Sequence, residues 1–72
     1  MTTLQLQQNL IVAYDRAITG LRGMITSRGI DPLIVALPVY ATDGVEGAIR
    51  RRKHVHDALY RQFSNLRKES TR

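Results

Sequence analysis

The chain has no cysteine, which excludes a disulfide framework and thiolate zinc sites and suits a reducing compartment. It has only two prolines, both between residues 30 and 44, so no proline breaks the long segments on either side. Acidic residues are scarce, six against eleven Lys and Arg, for a net charge of +5. Aromatics are few, and none interleaves with the basic residues to form the stacking platform of a single-strand binder. No apolar run approaches the ~20 residues that span a bilayer. The opening MTTLQLQQNL also lacks the positive start and long apolar stretch of a signal peptide. A cytoplasmic chain without membrane contact is expected.

Its 72 residues leave room for a single domain, residues 1–72. A chain this short buries a modest fraction of its surface. With no disulfide to help, a partner subunit is the leading way to complete the core.

What is present is organised around residues 30–44, IDPLIVALPVYATDG, an apolar elbow with turn residues at both ends. Residues 3–28 before it read as an amphipathic helix. Leu6, Leu10, Ala13, Tyr14, Ala17, Ile18, Leu21, Met24 and Ile25 fall on one side, with Leu4 and Ile11 at the border. The apolar arc is about 180° wide, against the ~100° stripe that one packing partner requires. Such a helix meets two neighbours, its own second helix and a copy of itself. Leu4, Ile11, Tyr14, Ile18, Leu21 and Ile25 are the residues expected at the interface between copies. Gly20 and Gly23 lie off the apolar side and weaken the helix, unless another backbone approaches there. Gly29 is a natural C-terminal stop.

In the elbow, Asp31 as N-cap and Pro32 at the first helical position predict a short helical turn through about Leu37, ended by Pro38. A buried extended segment competes with it, because Ile34, Val35 and Val39 favour strands. A second helix follows over 44–68, with Asp43 and Glu46 spaced as a capping box and a polar tail, 69–72, that frays. Val45, Ala48, Ile49, Val55, Leu59, Tyr60, Phe63 and Leu66 form its apolar side. The fold class expected is therefore all-α. It is a helical hairpin of two long helices with a short apolar helix or turn between them, dimerising into a four-helix-like bundle.

The charge is uneven. Residues 45–72 carry eight basic and three acidic groups, enough to attract phosphate or an acidic protein surface. Arg50, Arg51, Lys53, His54, Arg61 and Lys68 are the candidate nucleic-acid contacts, although Asp57 interrupts them. Arg52 instead lands within the apolar arc. There a buried guanidinium must snorkel or meet a carboxylate, and Asp15 at the edge of the first helix is the partner expected. His54 and His56 are two residues apart, on opposite sides of a helix, so they cannot chelate one ion; His54 is spaced to pair with Asp57. No metal, cofactor or catalytic grouping is indicated, and an enzyme is not expected. A helix-turn-helix reading fails too, because the residues after Gly29 lack base-reading side chains.

Two functions remain. The preferred one is a small regulatory or interaction protein docking onto another protein through Leu33, Leu37, Val39, Tyr40 and Arg52. The alternative is a basic helical dimer that binds DNA or RNA.

Overall fold

The structure, a computed structural model, describes residues 2–37 and 44–70, with side chains through residue 68. Its regular structure is all-helical: α1 spans Thr3–Thr26 and α2 spans Gly44–Ser70. Among the described residues, no helix is long and apolar enough to cross a membrane.

Helix α1 begins with a capping box on Thr2. The Thr2 hydroxyl accepts from the Gln5 N–H at 3.2 Å, and the Gln5 Oε1 accepts from the Thr2 N–H at 3.0 Å, which satisfies two donors the helix end would leave open. At the other end, Gly29 has φ 76°, a left-handed backbone that glycine adopts without a side-chain clash, and its N–H reaches the Thr26 carbonyl at 2.9 Å. Helix α2 opens with Glu46 in its first turn and closes with Arg67 and Lys68 in its last, each sign matched to the nearby pole of the helix dipole. The Asp43 cap and the end of the tail, residues 71 and 72, lie outside the described residues.

The helices pack on each other around a small core. Leu21, Ile25 and Leu59 are buried, with Ile18, Val55, Phe63 and Leu66 packed against them. The expected hairpin is present in that sense, but the contacts give it an unusual direction. Asp15 meets Arg52, Tyr14 meets His56, and further along α1 the Arg28 guanidinium lies 5.2 Å from the Phe63 ring. Moving forward along α1 thus moves forward along α2. Had the helices run in opposite directions, the Asp15–Arg52 contact would hold Ile25 and Leu59 about 25 Å apart; they share one core. The two helices are parallel, and α2 starts beside the first turns of α1.

A parallel pair needs a connection that returns along its length, and the elbow provides it. Gln62 in α2 donates from Nε2 to the Asp31 carbonyl (3.1 Å) and accepts the Leu33 N–H on Oε1 (3.0 Å). Four residues later, Leu37 borders Asp15, Ile18, Arg52 and Val55, well back towards the helix starts. Residues 30–37 therefore form an extended strap. The short helix expected from Asp31-Pro32 does not form; the Gln62 amide takes the backbone groups that a helical turn would have used. The competing reading, a buried extended segment, is met only in part: among the described residues the strap forms no strand, and Ile34 is 100% exposed.

The molecule is thin, with principal extents of 46 × 28 × 17 Å. It exposes 5484 Å², where size scaling gives about 4,500 Å² for a monomer of its 8.2 kDa.

Candidate functional site

Three surfaces collect the candidate residues. The first is a groove between α1, α2 and the strap, holding about 290 Å³ and lined by Asp15, Ile18, Arg22, Leu37, Arg51, Arg52 and Val55. Asp15, Ile18 and Arg22 share one face of α1 by their spacing. Arg52 is fixed there by two hydrogen bonds: its Nε donates to Asp15 Oδ1 at 2.9 Å and its Nη1 to the Ala48 carbonyl at 3.2 Å. The carboxylate expected for Arg52 is thus the one it meets, which lets a guanidinium sit on the inner side of α2. Among the groove's described residues, three arginines and one aspartate share the lining with the apolar Ile18, Leu37 and Val55.

Of the residues expected to contact a protein partner, the groove joins Leu37 and Arg52. Leu33 lies apart, in a separate hollow with Ala58, Arg61, Gln62, Asn65 and Leu66. Val39 and Tyr40 lie outside the described residues.

The second surface is the outer face of α2. Arg50, Asp57, Arg61 and Lys68 fall within about 40° of one another around the helix, opposite Leu59. Arg50, Lys53, His54 and Asp57 line a shallow hollow there. The structure removes Arg51 from this set and turns it to the groove. It also re-pairs the histidines: Asp57 Oδ1 lies 3.2 Å from Nδ1 of His56, whereas His54 was the expected partner. His56 stands between Tyr14, edge-on at 5.8 Å, and Tyr60, stacked at 6.1 Å. Among the described residues, no three His, Asp or Glu side chains converge as metal ligands would.

The third surface is a flank of α1, and here the expected interface is displaced. Leu21 and Ile25 are buried, and Ile18 packs on the same core; Tyr14 touches His56 and Ile11 is partly buried. These residues serve the intramolecular pairing with α2, while Leu4 is exposed on the side away from the flank. What stays open is the other half of the wide apolar arc. Leu6 is 52% exposed, Leu10 49% and Met24 43%, with Ala13 and Ala17 exposed between them. Tyr14, beside Leu10 and Ala17 around the helix, leads through His56 to the exposed ring of Tyr60, which extends the patch onto α2.

Sequence reasoning missed Arg22 as a groove residue and Gln62 as the strap's anchor. Arg22 carried a usable signal, lying seven residues after Asp15 on the same helical face. Gln62 carried none, since nothing local marks an amide whose partners lie about thirty residues earlier. Comparison with known protein families, with curated proteins and with solved structures finds no match to this chain.

Proposed function

We propose that this is a small non-enzymatic interaction protein that pairs with a second copy through α1 and docks onto another protein through the groove beside the strap. One observation carries the reading: Leu6, Leu10 and Met24 stand about half exposed along one flank of α1, with Ala13 and Ala17 exposed between them. The groove adds an apolar floor and a cationic rim, the combination that anchors an acidic, partly apolar segment. Two ionisable pairs, Asp15 with Arg52 and His56 with Asp57, fit structural roles between and along helices. A cytoplasmic setting belongs to the same reading, on the lack of cysteine.

The test separates the two contacts. Sedimentation at micromolar concentration should give a dimer, and a folded monomer would end the pairing part. Affinity capture from the native cell should lose its protein partner with Leu37→Asp and keep it with Arg61→Glu. Retention of every partner by Leu37→Asp would remove the groove from the account.

A second reading has its own support: Arg50, Lys53, His54, Arg61 and Lys68 are all exposed on α2, on the side away from α1. A basic helical dimer would use this face on nucleic-acid phosphates. Its binding would fall steeply with salt and weaken in Arg50→Glu and Arg61→Glu. No shift of DNA or RNA at low salt would dismiss it.

A further inference from the structure

We infer that the open flank of α1 is covered by α1 of a second copy running in the opposite direction. The inference rests on the dimer proposed above and adds which face pairs, and in which sense. The flank steps alternately by four and three residues, through Leu6, Leu10, Ala13, Ala17, Gly20 and Met24, which is the spacing of a seam between two helices. Its large members are half exposed, and a Cβ built on Gly20 would meet nothing within 4 Å. The space beside Gly20 is open to an incoming side chain.

Side-chain bulk decides the direction. In a parallel pair each residue faces itself, so Leu6 and Leu10 crowd one end while Ala13, Ala17 and Gly20 leave the middle thin. In an antiparallel pair centred on residue 15, Leu10 faces Gly20, Ala13 faces Ala17, and Leu6 faces Met24. The bulk of Leu10 then meets the open side of Gly20 twice along the seam, once from each copy, in place of Leu10 against Leu10, which is how facing positions reach dense packing. The same register lays the start of each α1 against the end of the other, so the helices overlap over their full length.

Electrostatics point the same way. Helix α1 has no acidic residue in its first turn and no basic residue in its last, so those turns bring no charge to offset its poles. Its neighbour α2 runs parallel to it and aligns like poles. An antiparallel copy sets each positive N-terminal pole beside a negative C-terminal one.

Engineered cysteines test this cleanly, because the chain has none of its own. Leu6→Cys and Met24→Cys alter exposed positions away from the Ile25–Leu59 core, and circular dichroism should match the parent. Mild oxidation of the two variants mixed should give the mixed disulfide as main product, and Leu6→Cys alone should stay uncrosslinked. In the antiparallel pair its two sulfurs are about 27 Å apart, far beyond the ~7 Å Cα limit for a disulfide. Rapid crosslinking of Leu6→Cys alone would overturn the direction and leave the dimer standing. A dimer by sedimentation with no crosslink in either experiment would place the pairing on another face. A monomer by sedimentation would remove the dimer and this inference together.

Discussion

Arg52 and Asp15 lie 37 residues apart and meet at 2.9 Å, which places a guanidinium from the apolar side of α2 against the edge of α1. Their side chains are 32% and 56% exposed, so water screens the attraction and the pair contributes on the order of 0.5 kcal/mol. Asp15→Ala should lower stability by less than about 1 kcal/mol. Arg52→Met, which keeps the stem and removes the charge, should be neutral or slightly stabilising. Urea denaturation midpoints check both, and a loss several times larger in Arg52→Met would show that the ion pair, not packing, holds the helices in register.

Gln62 is the anchor of the strap. Gln62→Ala removes both hydrogen bonds to the Asp31–Leu33 backbone and should cost about 1 kcal/mol, these being exposed neutral bonds. Hydrogen exchange at the Leu33 amide should speed up at the same time. Gln62→Glu keeps an acceptor for that amide but loses the donor to Asp31, so Leu33 should stay partly protected. Unchanged exchange at Leu33 in Gln62→Ala would show that the strap is held by other contacts.

The core is small, so its centre is decisive. Ile25 and Leu59 are each 0% exposed, and truncation of either to alanine typically costs about 2–5 kcal/mol. For a domain of this length that is most of the available stability. Ile25→Ala and Leu59→Ala should each abolish cooperative thermal unfolding monitored by helical circular dichroism. A sharp transition surviving in both would mean the fold is stabilised elsewhere.

Gly23 should behave oppositely. It sits inside α1, and a Cβ there would meet nothing within 4 Å, so Gly23→Ala should stabilise by about 1 kcal/mol through helix propensity alone. A rise in melting temperature is the expected readout. A fall would mean that another backbone approaches this position closely.

Much of the helical layout is legible along the chain because it depends on local periodicity. The wide apolar arc of α1 predicts two neighbours, and the structure divides it, with Leu21 and Ile25 against α2 and Leu6, Leu10 and Met24 left open. The cap at Thr2 is equally local, since Thr-x-x-Gln ahead of an apolar run spells a capping box. The strap was not legible. Asp31-Pro32 is a sound local helix start, and it is overridden by Gln62, whose hydrogen bonds reach back 29 and 31 residues. The parallel direction of the helices escapes for the same reason, because it depends on where the elbow returns and not on any periodicity. Likewise, spacing pairs His54 with Asp57, but the tyrosines at positions 14 and 60 hold His56 beside that carboxylate.

The parallel arrangement also bears on how the chain reaches its native state. Adjacent helices that double back can zip together from a short turn, whereas here the Asp15–Arg52 contact must close a loop of 37 residues before apolar surface is gained. Folding should therefore be slow for so helical a molecule, because rates fall as contacts become less local. It should also be cooperative, since neither helix finds a core within its own half of the chain. A nick between residues 37 and 44 would yield two fragments that are individually unstructured and regain their helices only on being mixed.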